Sequence, residues 1–400
     1  MSVLIAILGL AFLILVHEAG HFFAAIIVGM RPRRFYIGFP PAIAKKKRNG
    51  IEYGIGAIPL GGYVKIPGMH RPAAGDADTY FGRVLREHPE LAGPVQRLKR
   101  ALAAEDDGAA RAALEELRSL AGEEPPEGLE RGLQEIEDGL SPQAYWRQHT
   151  FKRIAVILAG PMTNLVFAVI LFAALFYVGG GKATSTVDQV LPKRPAAAIG
   201  LKPGDRILAI NGTPVTTPEA IPEQISTSQG KPLIVAVQRN GRLVTLGPIR
   251  PQQIEGAYRL GFVLRGEKLG IGESAWQSTK LTGTVTREIG KSIGRLVHGQ
   301  GRKDISSPVG ISQTLNTAQK QGAETYLWVL GLISLSLALM NLLPLLPLDG
   351  GHIAFSIIEG LRGRAVGREI YERVSVIGIA LVLFLFFIGL SNDLNRLSGS

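Results

Sequence analysis

No cysteine occurs among the 400 residues of this chain. Disulfides and thiolate metal ligands are thereby excluded, so any metal must be held by His, Asp or Glu. Charge is also missing over long stretches. Within residues 1–30 the only acid or base other than histidine is Glu18, and further uncharged runs cover 154–181, 326–348 and 374–392. Each is long enough to cross a bilayer, which takes roughly 20 helical residues. The first run lacks a basic n-region and a clear small-residue cleavage site, so it reads as a retained span rather than a signal peptide. Internal repeats and low-complexity tails are absent too.

What charge there is lies beside the apolar runs. The formal net charge is +11, and its location matters more than its size. Arg31, Arg33, Arg34 and the cluster from Lys45 to Arg48 follow the first run; Lys152 and Arg153 precede the second; Arg362, Arg364 and Arg368 separate the last two. By the positive-inside rule these flanks are cytoplasmic, which leaves both termini and 182–325 outside. Residues 76–145 hold 16 acidic against eight basic residues, so the rest of the chain carries +19. An anionic lipid surface, not nucleic acid, is the partner that this distribution fits.

These patterns predict a multi-pass α-helical membrane protein with four transmembrane helices, a membrane-associated β-hairpin and one extracytoplasmic PDZ-like β-rich domain. The spans are placed at 1–30, 153–181, 326–350 and 369–392. Residues 31–69 form a hairpin on the cytoplasmic side, turned at Asn49-Gly50, and 70–150 a cytoplasmic helical insertion, read as a solvated helical hairpin. In 184–268, short β-branched strands alternate with Pro and Gly turns, and AAAIGLKPGDRILAINGTPV resembles the helix, turn and strand of a PDZ domain. Such domains bind extended peptides by strand addition, although a spacer or size filter would share the same core. Residues 269–325 read as an extracytoplasmic linker with amphipathic helices and a turn at 306–310.

The chemistry concentrates in HEAGH of the first span. Residues four apart share a helix face, so His17 and His21 can direct imidazole nitrogens at one metal ion with Glu18 alongside. Two neutral imidazoles leave a metal acidic enough to activate water, and a glutamate can take its proton and later protonate a leaving amine. Placing such groups in an apolar span costs roughly 2.5–3.5 kcal/mol for a charged side chain at its centre and demands partners. A third ligand must come from another span. Asp349, after Pro344 and Pro347, is the best candidate, with an Asp-Gly turn or cap as its other role and His352 as a reserve ligand or supporting group. Asn341 can hold a substrate backbone or a developing oxyanion, or can join two helices. In the second span, Gly160-Pro161-Met162-Thr163-Asn164 permits close helix approach, with Asn164 a possible contributor to the site.

Together, HEAGH, GGYVK, GPMTN, PVGI and NLLPLLPLDGG, in this order around a PDZ-like domain, resemble the site-2 protease family and, within it, the bacterial RseP/RasP-like intramembrane metalloproteases. The resemblance implies a zinc-dependent endopeptidase of the bacterial cytoplasmic membrane, with His17, His21 and Asp349 on Zn2+, Glu18 as acid/base and Asn341 holding substrate. It also implies that Gly54, Gly56, Gly61, Gly62 and Tyr63 pair with substrate. Transmembrane proteins already cut by another protease, such as anti-sigma factors or remnant signal peptides, would be its substrates. The chain departs from the family in the acidic insertion and in having one PDZ-like domain where some relatives have two. A zinc-clamped membrane receptor and a metal transporter are the rival readings.

Overall fold

A computed structural model describes residues 2–122, 125–180, 182–254, 257–302, 305–364, 366 and 368–398. In chain order the elements begin with α1 (Ser2–Ile27), β1 (Arg34–Arg48), β2 (Ile51–Lys65), α2 (Ala74–Glu87), α3 (Ala92–Ala103), α4 (Asp107–Ala121), α5 (Leu129–Leu140) and α6 (Thr150–Leu175). Then come β3 (Lys182–Val190), α7 (Pro195–Ala198), β4 (Arg206–Ile210), β5 (Thr213–Pro214), α8 (Ala220–Thr227), β6 (Leu233–Arg239), β7 (Arg242–Ile249), β8 (Gln252–Ile254), β9 (Ala257–Arg259) and β10 (Phe262–Glu267). Five helices finish the chain: α9 (Ile271–Val297), α10 (Pro308–Gln321), α11 (Ala323–Asn341), α12 (Asp349–Arg362) and α13 (Arg368–Ser398). Two compact units result, 1–168 with 285–400, and 169–284.

Among the described residues, four helical stretches are long and apolar enough to span a membrane: Ile5–Ile27, Thr150–Gly179, Ala323–Asn341 and Glu369–Arg396. They carry large apolar side chains on their outer faces, among them Phe23, Ile27, Val376, Ile377, Phe384 and Phe387. Exposed apolar surface on this scale is stable against lipid, not water. The third stretch is shorter than the sequence suggests. It stops at Asn341, because Pro344 and Pro347 deny backbone donors to a continuing helix, and Asp349 instead opens the separate helix α12. Likewise, the turn read at 306–310 is the start of α10, where the Ser307 hydroxyl accepts from the Val309 N–H and Pro308 occupies the first turn. The buried Asp393 carboxylate of α13 accepts from the Ser307 N–H (2.7 Å) and the Gly310 N–H (3.0 Å) and so ties that helix start to the fourth span.

The β1–β2 hairpin turns at Asn49 and Gly50, with φ of 51° and 79°, the left-handed pair that a two-residue type I′ turn requires. Its register is more involved than one ladder. Residues Arg34 to Ile37 pair with Glu52 to Ile55 on one side, in ascending order, and with Lys65 to Gly62 on the other, in descending order. Glu52 to Ile55 pair also with Lys47 to Ala44. The stretch around Gly54 is therefore enclosed on both edges. Gly62–Lys65 has one edge against β1, and no other strand pairs with its second edge among the described residues.

The acidic segment folds as four helices, α2 to α5, rather than as one helical hairpin. Each has an amphipathic face, and these close on a core that includes Phe81, Leu98, Leu114, Leu117, Leu133 and Ile136. Two such faces could not have enclosed one another's apolar stripe as fully, which is why four pack together. Leu133→Ala is expected to cost about 2–5 kcal/mol, seen as earlier urea unfolding of this segment by limited proteolysis of the whole chain.

Unit 169–284 is β-rich. Its antiparallel sheet runs in the order β10-β3-β4-β6-β7, with β5 beside β4, and β8 pairs with β9. Val187, Ile207, Ile210, Ile221, Val235 and Val237 lie in its core. The buried Asp205 accepts two bonds of 2.7 Å from Arg239 and one of 2.8 Å from the Lys202 N–H. Burial pushes this carboxyl up, but Arg239 and the Lys202 amide outweigh it and hold it below the ordinary value. A depressed carboxyl stabilises the fold fully above its unfolded pKa, about 3.9, and the contribution is lost as pH falls through the lower folded value. Arg239→Met should therefore cost roughly 1.5–3 kcal/mol near neutrality, measured as protease resistance of this unit in urea, and markedly less in acid.

Candidate metal centre

His17 and His21 project from one face of α1, and both are buried. Where α1 crosses α6 there is no room for side chains at two positions. A Cβ at Gly20 would lie 2.5 Å from the Ala159 carbonyl, and one at Gly160 would strike the His21 imidazole. The glycine of GPMTN thus makes the space that the second histidine occupies. On the opposite side, the chain leaves α11, turns through Pro344 and Pro347, and re-enters a helix at Asp349. Gly350 and Gly351 let that turn lie on the first residues of α12, because a Cβ at either would collide with the backbone of 342–346.

The result brings three donor atoms together. His17 Nε2 and His21 Nε2 are 3.2 Å apart, and Asp349 Oδ2 is 3.2 Å from the first and 3.3 Å from the second. Tetrahedral zinc with bonds of about 2.0–2.2 Å separates neighbouring donors by about 3.3–3.6 Å, so the triangle matches one face of such a site. Asp349 Oδ2 has no hydrogen-bond donor of its own, as a ligand oxygen requires. The tautomers agree. His21 Nδ1 lies 2.9 Å from the Val156 carbonyl, which fixes the proton there and leaves Nε2 with a lone pair. His17 Nδ1 faces the fully buried Asn164 amide at 3.5 Å, while Asn164 Oδ1 lacks a partner. Turning that amide over lets Oδ1 accept from Nδ1–H and frees His17 Nε2 as well. The Ser334 hydroxyl, donating to the Asn164 carbonyl at 2.9 Å, connects α11 to this support.

A cavity of about 480 Å³ lies beside the three donors and is also lined by Glu18, Gly61, Gly62, Tyr63, Val64, Asn341 and His352. A Cβ on Gly62 would sit 3.1 Å from Glu18 Cγ, so the bare backbone allows the strand to approach the carboxylate. The residues expected on one substrate strand are divided by the structure. Gly61, Gly62 and Tyr63 reach the cavity, whereas Gly54 and Gly56 do not: a Cβ at Gly54 would fall on the Tyr36 ring, and one at Gly56 on the Phe39 backbone. His352 lines the cavity but stands outside the donor triangle. Its Nδ1 is bonded to the Tyr371 hydroxyl, and burial pushes it down to about 4, which keeps the ring neutral.

Two contributors had escaped the sequence. The Val156 carbonyl has no signature in residue type, since every residue offers one. Tyr371 stands at the beginning of the fourth span, where an aromatic reads as an interfacial anchor.

The family model described as Peptidase family M50 matches residues 5–385. The chain is similar to the zinc metalloprotease RasP of Geobacillus kaustophilus, 32% identical over 96% of this chain and 95% of the relative. It is similar also to the metalloprotease MmpA of Caulobacter vibrioides, 28% identical over 97% of this chain and 94% of the relative. Because the match runs from the first apolar helix into the last, the chain belongs to peptidase family M50, the site-2 proteases, and is a zinc metalloprotease with several apolar membrane helices.

Proposed function

We propose that the chain cuts transmembrane segments of other proteins, with His17, His21 and Asp349 holding zinc and Glu18 moving the protons. The observation that carries this reading is the meeting, at one cavity among apolar spans, of the donor triangle, Glu18 and a strand edge that has no strand partner among the described residues. When bound there, zinc supplies Lewis acidity that polarises a carbonyl and makes water a better nucleophile. Glu18 accepts the proton of the attacking water, the peptide C–N bond breaks, and Glu18 returns a proton to the leaving amine. Asn341, at the end of α11, donates its amide to a substrate carbonyl.

A substrate helix hides its carbonyls in its own hydrogen bonds. Unwinding costs those bonds, and the Gly61–Val64 edge replaces them by strand addition. Gly62→Val is expected to displace this edge from Glu18 and lower cleavage about 100-fold, the cost of misplacing reacting groups by about 1 Å, with zinc content unchanged in metal analysis. Unit 169–284 has PDZ-like character: its outer strand β10 and helix α8 border a groove of about 660 Å³, suited to an extended peptide or to screening the size of a substrate's outer domain. The basic flanks support an orientation, by the positive-inside rule, with the hairpin and α2–α5 in the cytoplasm of a bacterium and the termini and PDZ-like unit outside. Substrates shortened beforehand by another protease, such as anti-sigma factors or remnant signal peptides, fit that arrangement.

The test is to supply a single-span protein to the enzyme in membranes and map the new termini by mass spectrometry. Cuts inside the apolar segment are expected. Cuts confined to the water-exposed tails would overturn the reading.

A further inference from the structure

The helical segment α2–α5 is not a detached appendage. Arg33, just ahead of β1, donates to the buried Asp138 of α5 (Nε to both carboxylate oxygens, 3.1 Å), and Lys65 at the end of β2 pairs with Glu135. Between the strand and these helices runs a groove of about 420 Å³. Tyr63, Val64 and Lys65 form one wall and Tyr80 of α2 and Glu135 of α5 the other, with Met69 between them. Tyr63, Val64, Ile66 and Met69 line the catalytic cavity as well. The two spaces therefore share the same strand, whose second edge has no strand partner among the described residues.

From this continuity we infer that the groove is a subsite for the stretch of substrate next to the scissile bond, held in extended form, so that α2 and α5 take part in choosing substrates. The inference rests on the reading that Gly61–Val64 pairs with substrate. From Gly61 to Lys65 the strand advances about 13 Å at 3.3 Å per residue, enough to lead a polypeptide from Glu18 to the helical wall. A substrate that remains helical, about 10–12 Å across with its side chains, presents no backbone groups to the edge. The charged residues that line the groove balance, Lys65 and Arg71 against Asp76 and Glu135, and Lys65 pairs directly with Glu135, so the occupant is an extended stretch with uncharged side chains, packed against Tyr80, rather than a highly charged tail.

The experiment uses the full chain carrying Glu18→Gln, which retains substrate without cutting it, in membranes with a single-span substrate. A photoreactive phenylalanine analogue is placed at Tyr63, at Tyr80 or, as a control, at the exposed Leu120 of α4; at either tyrosine it is nearly isosteric and leaves the packing intact. Crosslinks are expected from positions 63 and 80 to substrate residues within about five positions of the cut, by the reach estimated from the strand rise, and none from 120. Crosslinking from 63 alone overturns the subsite and leaves the strand-pairing reading standing. Crosslinking from neither 63 nor 80 overturns both. Equal yield from 120 shows indiscriminate contact and overturns the subsite.

Discussion

Replacing Glu18 with glutamine is expected to abolish peptide cleavage while zinc stays bound. Glutamine is nearly the same size, so the packing of α1 against α6 and the strand is preserved, and the three donor atoms do not include this side chain. What disappears is the group that can take and return a proton. General acid–base catalysis contributes about 10²–10⁴-fold, and loss of both proton transfers would drive the rate below detection for a slow membrane substrate. The measurement pairs cleavage of a single-span protein with metal analysis of the purified variant. A zinc-clamped receptor would need the histidines and not the glutamate, since a structural site closes its coordination and has no use for a base. Persistent cleavage by the variant would therefore remove Glu18 from the chemistry, and zinc loss would assign it to the coordination instead.

How far the sequence could be read depended on whether the deciding contact was local. The relation of His17, Glu18 and His21 follows from helix periodicity alone. Asp349 was visible because an acid ends an apolar run that Pro344 and Pro347 interrupt. The separate helix α12 was not, since 349–362 lies between two spans and its amphipathic pattern there looks like a charged connection. Gly54 and Gly62 are indistinguishable by residue type; pairing of β1 with β2 on both sides, a long-range fact, encloses one and leaves the other at the cavity. The acidic segment announced helices by its periodicity, but the number that share one core is set by packing. Its position beside β2 depends on Lys65 meeting Glu135, 70 residues away.

Asp349→Asn should strip the protein of zinc and, with it, of activity, whereas His352→Gln should keep the metal. The two residues are one turn apart on α12, and either could supply the third ligand on sequence grounds. Their surroundings differ. Asp349 Oδ2 is within 3.3 Å of both histidine nitrogens and lacks a donor of its own, so its negative charge is available to a cation. Asparagine keeps the shape and removes that charge, and a divalent ion among apolar helices then has two neutral ligands in place of a set with one carboxylate. Supporting residues around zinc typically change affinity by about 10–100-fold, and loss of a direct ligand exceeds that. His352 offers no nitrogen to the donor triangle, and its Nδ1 is held by Tyr371, so its replacement falls in the supporting class. Zinc per chain after dialysis against a weak chelator, measured beside cleavage, separates the cases. Retention of zinc by Asp349→Asn together with its loss from His352→Gln would transfer the third ligand to the histidine and require the turn after Pro347 to rearrange.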